Sequence, residues 1–252
     1  MPLEGFAALA RAARCVSLFI VIPVRNEEAR LESGLQHLQA KLHAASFTAY
    51  QVLISDNGST DQTLQVLQRY NQNHNTTIGY TRASEHPDKG QGIARGWALA
   101  PSGSTVLAYC DIDMATEPLA LVEGYQLIQT GQADAVAGSR WLASSQVIGR
   151  TFFRTFLSAG LSSAWRLLPQ GRLTDPGCGL KLVRHDVWRT LPIREGRQGF
   201  VYGAETLEQL YRRGYSVTEI PVIWTDDDAG RIRVSQAIED YMRGWWRLFT
   251  QY

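Results

Sequence analysis

Short apolar runs rich in branched residues alternate along the chain with stretches whose apolar positions recur every three or four residues. Residues 16–22, Val-Ser-Leu-Phe-Ile-Val-Ile, form one such run and Pro23 ends it. A short, nearly continuous apolar run bounded by a turn signal predicts a buried parallel strand rather than a helix. From 27 to 45 the pattern turns helical, with Leu31, Leu35, Leu38 and Leu42 on one face. A second strand over 51–55, a polar turn over 56–59 and a helix over 60–70 with Leu64 and Leu67 inward complete a β-α-β-α start. The alternation predicts further strands near 76–82, over 105–110 and over 133–137, with helices over 91–100 and 117–130. Beyond Arg140 it breaks into an aromatic-rich helix over 148–168 and a Gly/Pro loop over 169–179. A Glu-bearing helix over 204–213, a strand over 217–224 and a helix over 235–249 follow.

This order predicts an α/β, Rossmann-like domain with a mostly parallel central sheet flanked by helices, and ligands bound beyond the C-terminal strand ends. The polar clusters 23–27, 56–61 and 111–116 all fall at such ends. No linker or repeat divides the chain, so the expected organisation is an N-terminal extension over 1–15, one α/β domain over 16–234 and a C-terminal amphipathic helix over 235–252. Its 252 residues with 44% apolar content suffice for one sizeable core and exclude disorder. The longest apolar run, 16–24, falls far short of the roughly 20 residues a spanning helix needs. Lys plus Arg number 25 against 24 Asp plus Glu, so no global field favours nucleic acid and an anionic ligand must be met locally. Cys15, Cys110 and Cys178 lie far apart without a C-x-x-C spacing, which argues against a disulfide framework or zinc site and predicts a reducing, cytoplasmic setting.

Candidate chemistry starts with Asp111-Ile112-Asp113, directly after the strand ending at Cys110. Two carboxylates two residues apart in a tight turn can face one hard cation that keeps open positions for phosphate oxygens. An acidic loop or helix N-cap is the plain alternative. Asp88-Lys89-Gly90-Gln91-Gly92 opens a helix carrying Arg95, an arrangement that can hold a diphosphate through backbone N–H groups and cations, or else a flexible turn with solvated charges. Asp56-Asn57-Gly58-Ser59 reads either as an Asx turn or as a turn that places Asp56 on a base or ribose.

Taken together, Pro23-Val-Arg-Asn-Glu-Glu28, Ser55-Asp-Asn-Gly-Ser-Thr-Asp61, Lys89-Gly-Gln-Gly-Ile-Ala-Arg95 and Cys110-Asp-Ile-Asp-Met-Ala-Thr116 resemble, in order and spacing, the nucleotide-sugar half of family 2 glycosyltransferases of the GT-A fold. Gly138-Ser-Arg140, Arg150-Thr-Phe-Phe-Arg154, Asp175-Pro-Gly-Cys-Gly-Leu-Lys181, Glu205-Thr-Leu and Trp224-Thr resemble the later motifs of polyprenyl-phosphate sugar transferases, nearest the dolichyl-phosphate glucosyltransferase type. The resemblance implies an inverting transfer of a hexose, glucose from UDP-glucose, to a polyprenyl phosphate. It places Pro23, Arg25 and Glu27 around the base, Asp56 on the uracil edge, and Lys89 and Arg95 nearby. Asp111 would approach the ribose and metal, and Asp113 would hold Mg²⁺ or Mn²⁺ on the diphosphate. Arg140, Arg154 and Lys181 would receive the acceptor phosphate, with Glu205 organising the site. Met114-Ala115 after the D-x-D, Gly177 in place of Gln and Gly203 in place of Asp depart from the type, as does the absence of Ser after Gly230.

A lipid phosphate has a second pKa of about 6, so it is largely dianionic at neutral pH and attacks without a strong base. An alcohol acceptor would need one, and Glu205 is then the candidate. Two mixed aromatic and basic helices, one with Phe152, Phe153, Phe156, Leu157 and Trp165 and the other with Trp245, Trp246 and Phe249, suit a peripheral position on a membrane surface. A soluble acceptor, a non-catalytic nucleotide-sugar scaffold and a nucleotidyltransferase remain the competing readings.

Overall fold

A computed structural model describes residues 17–167, 172–192, 199–226 and 234–250. The predicted extension over 1–15 and the stretch 230–233 lie outside them. In chain order the elements are β1 (Leu18–Val24), α1 (Leu31–Ala44), β2 (Tyr50–Asn57), α2 (Thr63–His74), β3 (Gly79–Ser84), α3 (Lys89–Ala98), β4 (Val106–Tyr109), α4 (Leu119–Gln129) and β5 (Ala135–Ser139). Then come β6 (Gln146–Ile148), α5 (Phe152–Arg166), β7 (Lys181–Arg184), α6 (His185–Trp188), α7 (Tyr202–Arg212), β8 (Val217–Pro221), β9 (Ile223–Thr225) and α8 (Val234–Thr250).

Seven strands form one sheet in the order β3-β2-β1-β4-β7-β5-β8. β1 runs parallel to β2 and β4, and β5 parallel to β8, while β7 is antiparallel to both its neighbours. Side chains alternate across a strand. Leu18, Ile20 and Ile22 therefore pack under Leu31, Leu35, Leu38 and Leu42 of α1, whereas Phe19 and Val21 meet Ile93 and Trp97 of α3 on the other face. Burial on both faces is why β1 reads as an unbroken apolar run.

The sequence pattern missed β7, and this strand positions the site. Because it is antiparallel, with Tyr109 opposite Lys181, the loop entering it arrives at the same sheet edge as the residues leaving β4. The predicted strand 217–224 divides at Val222: β8 stays in the sheet and β9 leaves it to pair in parallel with β6. The predicted helix from 148 starts later, at Phe152, where the Thr151 hydroxyl accepts a hydrogen bond from Arg154 N–H.

Helix α1 touches the D-x-D turn directly. A Cβ at Gly34 would lie 2.1 Å from the carbonyl oxygen of Ile112, between the two aspartates. Gly34→Ala must push this backbone away, and overpacking of this kind costs about 1–3 kcal/mol. Chemical denaturation checks the loss.

Candidate active site

A cleft of about 500 Å³ opens at the C-terminal ends of β1, β2 and β4. At one end the chain leaving β1 turns through Asn26, held at φ 55°, a left-handed conformation that Asn tolerates better than most residues. The turn after β2 braces it. Asn26 N–H donates to Ser59 Oγ (3.0 Å), Thr60 N–H to Asn26 Oδ1 (2.8 Å) and Glu27 N–H to Thr63 Oγ1 (2.9 Å). Pro23, Arg25, Glu27 and Arg30 thereby line the cleft, with Glu27 accepting from Arg30 Nε at 2.9 Å.

Asp111 and Asp113 follow β4 into the same space. Met114, at φ 49°, bends the chain back so that Ala115 N–H donates to Asp113 Oδ1 at 3.1 Å; such strain is stored where geometry is functional. Withdrawal from bulk solvent in the cleft and the Asp111 charge raise the Asp113 carboxyl above its usual value. Lys89 Nζ, 2.6 Å from Asp111 Oδ1, lies over the Phe200 ring at 4.7 Å. Two crowded carboxylates facing a cleft suit a divalent cation. Among the described residues no third His, Cys, Asp or Glu joins them.

The opposite end is cationic. Arg140 grips the fully buried Asp175 through Nε and Nη2, each at 2.7 Å, and through its backbone N–H at 2.9 Å. Burial would raise the Asp175 carboxyl, but the hydrogen bonds and charge of Arg140, with Lys181, hold it below its usual value. Arg154 Nη1 pairs with Asp226 Oδ1 at 2.5 Å. Arg150 lies over the Trp224 ring at 5.0 Å, beside Arg140 at 5.4 Å. Burial, then the Arg140 charge, pull the Arg150 guanidinium down to about 10, so it stays cationic at neutral pH.

One loop ties the ends together. Asp175 holds Arg140, a Cβ at Gly177 would lie 2.3 Å from the Tyr241 hydroxyl, and one at Gly179 would lie 2.2 Å from Asp111 Oδ2. The departures at Gly177 and Gly203 thus have a steric reason: Tyr241 fills the first position and Tyr109, 2.5 Å from a Cβ, the second. Glu208 and Glu219 anchor the loop start, accepting from Leu173 N–H (3.1 Å), Thr174 N–H (2.9 Å) and Asp175 N–H (3.1 Å).

Of the residues singled out in the sequence, Pro23, Arg25, Glu27, Lys89, Asp111, Asp113, Arg140 and Arg154 line this cleft, and Asp56, Arg95, Lys181 and Glu205 do not. Asp56 accepts from Ser59 N–H and the Tyr80 hydroxyl, each at 2.8 Å, and so braces the turn. Arg95 is exposed on α3. Helix α3 begins at Lys89, with Asp88 capping it by accepting from Gln91 N–H, so Gly90 and Gly92 are helical rather than part of a loop. Lys181 is fully buried and donates to Cys178 O at 2.8 Å; burial lowers its ammonium pKa. Glu205, also buried, holds Arg247 of α8. Trp165 is interior, donating to Glu208 at 2.9 Å, rather than at a surface. Sequence reasoning quoted Trp224 within a motif but gave it no role, and it missed Asp226 and Tyr241 as cleft residues; only their acidic or aromatic type after the last strand could have signalled those two.

A family model described as Glycosyl transferase family 2 matches residues 19–187. Glycosyltransferase AglD of Haloferax volcanii is 26% identical over 252 residues, covering 98% of this chain. A dolichyl-phosphate beta-glucosyltransferase of Drosophila melanogaster is 28% identical over 229 residues, covering 86% of it. The chain spans 40% of the first relative's length and 69% of the second's. Among solved structures, Mycobacterium tuberculosis glucosyl-3-phosphoglycerate synthase in complex with Mn²⁺ and UDP-glucose shares the fold, with a TM-score of 0.69 at 17% identity over 97% of this chain and 83% of that one. The matched region holds the turn after β1, both aspartates of the D-x-D, and the loop that joins the two ends of the cleft, and the chain belongs to glycosyl transferase family 2.

Proposed function

We propose that this chain is an inverting glycosyltransferase that moves glucose from UDP-glucose to a polyprenyl phosphate. The observation that carries this reading is a single cleft with paired carboxylates at one end, arginines at the other and one loop touching both. The names of the fly relative and of the Mn²⁺ and UDP-glucose complex support the donor and acceptor classes.

Pro23, Arg25 and Glu27 bind the nucleotide, and Asp111 and Asp113 hold Mg²⁺ or Mn²⁺. When bound, that cation neutralises charge on the departing diphosphate. Lys89 keeps Asp111 oriented and adds a positive charge beside the phosphates. At the acceptor end a phosphate dianion attacks without surrendering a proton. Asp175 and Asp226 are each ion-paired to an arginine and Glu205 to Arg247, an arrangement suited to orienting cations rather than to abstracting a proton from an alcohol.

Phe152 and Phe156, 86% and 70% exposed, lie one helical turn apart on α5, the helix that also carries Arg154. Met242, Trp246 and Phe249 are exposed on α8 beside Arg243. Mixed aromatic and basic surfaces of this kind suit a headgroup layer. Among the described residues no helix is long and apolar enough to cross a membrane.

The test is UDP release from UDP-glucose with Mn²⁺, with polyprenyl phosphate, a soluble phosphate ester and a simple alcohol in parallel. The lipid phosphate is expected to give the fastest release. Equal or faster turnover with the alcohol contradicts the acceptor assignment.

A further inference from the structure

The arginines at the acceptor end differ in what their nitrogens already hold. Arg140 commits Nε and Nη2 to both oxygens of Asp175, and Arg154 commits Nη1 to Asp226. Arg150 donates from Nη2 to Ser158 Oγ, while its buried Nε and Nη1 have no acceptor among the described residues. Buried N–H groups are nearly always paired, so these two donors mark a place where an acceptor belongs. The charges of the described residues agree: Arg140 and Arg154 are each paired to a carboxylate, Asp175 and Asp226, and Arg150 is paired to none of them. Its guanidinium is also held in place, stacked over Trp224 with Arg140 alongside.

We propose that Arg150 is the residue that grips the acceptor's phosphate oxyanion, with Arg140 and Arg154 acting as positioning residues. Through Asp175 and Asp226, those two fix the walls of the pocket that Arg150 shares with Trp224 and Ser158. The ligand class is a phosphomonoester, which a lipid headgroup and a soluble phosphate ester present alike. This proposal rests on the family 2 reading for the reaction, but the binding it describes is measurable without turnover.

The experiment compares the full wild-type chain with Arg150→Gln and Arg150→Lys. Thermal shifts are recorded with inorganic phosphate, phenyl phosphate and a short polyprenyl phosphate in detergent, and separately with UDP and Mn²⁺. Kinetics against the polyprenyl phosphate follow. The wild type should be stabilised by a phosphomonoester and Arg150→Gln should not, with partial recovery in Arg150→Lys, which keeps a charge but not the planar donors. The acceptor KM should rise about tenfold or more in Arg150→Gln, with kcat changed less. The UDP response, unchanged in both variants, certifies that they fold.

A response to the lipid alone identifies a headgroup, and equal responses to phenyl phosphate identify a soluble ester. An Arg150→Gln chain with wild-type phosphate response and acceptor KM overturns the proposal, as does a wild type that no phosphomonoester stabilises. If UDP fails to bind while an Arg150-dependent phosphate response persists, the donor reading fails and this one stands.

Discussion

Asp113→Ala is expected to lower kcat by roughly a thousandfold while leaving the fold intact. A divalent cation on a departing diphosphate contributes several kcal/mol to the transition state, roughly tenfold for each 1.4 kcal/mol. Among the described residues no third His, Cys, Asp or Glu joins Asp111 and Asp113, so under the proposed reading losing one removes half of the protein's share. Stability should change little, because Asp113 accepts only the Ala115 N–H of its own turn and substitutions outside a buried network are usually small in effect. Steady-state kinetics beside a denaturation curve separates the two quantities. A variant with near-wild-type kcat would mean that Asp113 does not hold the metal.

Asp175→Ala should instead destabilise the chain by about 3–5 kcal/mol, because it leaves the Arg140 charge buried without its partner. Asp175→Asn, which keeps one of the two acceptor oxygens, should lose less. The same pair predicts a pH dependence. The folded Asp175 pKa lies below its ordinary value of 3.8, so the unfolded chain takes up the proton first. Its contribution is fully present above that ordinary value and disappears as pH falls through the lower folded one. Wild-type stability should therefore fall on acidification below about pH 4, and the fall should be shallower in Asp175→Asn. Urea midpoints measured between pH 3 and 7 read this slope.

The first half of the fold was legible because β1, β2 and β4 are buried on both faces and the helices on one, and both patterns leave a signal in the sequence. The turns 23–27 and 111–113 were legible because polar clusters after apolar strands have one place to go in a parallel sheet. Strand β7 was not. It is four residues long, and its neighbours β4 and β5 lie far upstream in the chain, so no local period reports it. Its antiparallel direction, which brings the 175–179 loop to Asp111, exists only in the folded sheet.

Side-chain pairing was equally invisible. Lys181 carries the right charge to meet a phosphate and Glu205 the right charge to orient a cation there, yet burial assigns the first to backbone carbonyls and the second to Arg247. Arg150 and Arg154 look alike in the chain, and only the positions of Asp226 and Trp224, more than sixty residues on, distinguish them.

The most direct test of the central claim is a thermal-shift titration of the wild-type chain with UDP-glucose, with and without Mn²⁺. Stabilisation that needs both the nucleotide sugar and the metal, and that disappears in Asp113→Ala, is the predicted result. Stabilisation by UDP-glucose that ignores Mn²⁺, or none from any nucleotide sugar, would contradict a metal-dependent donor site at Asp111 and Asp113.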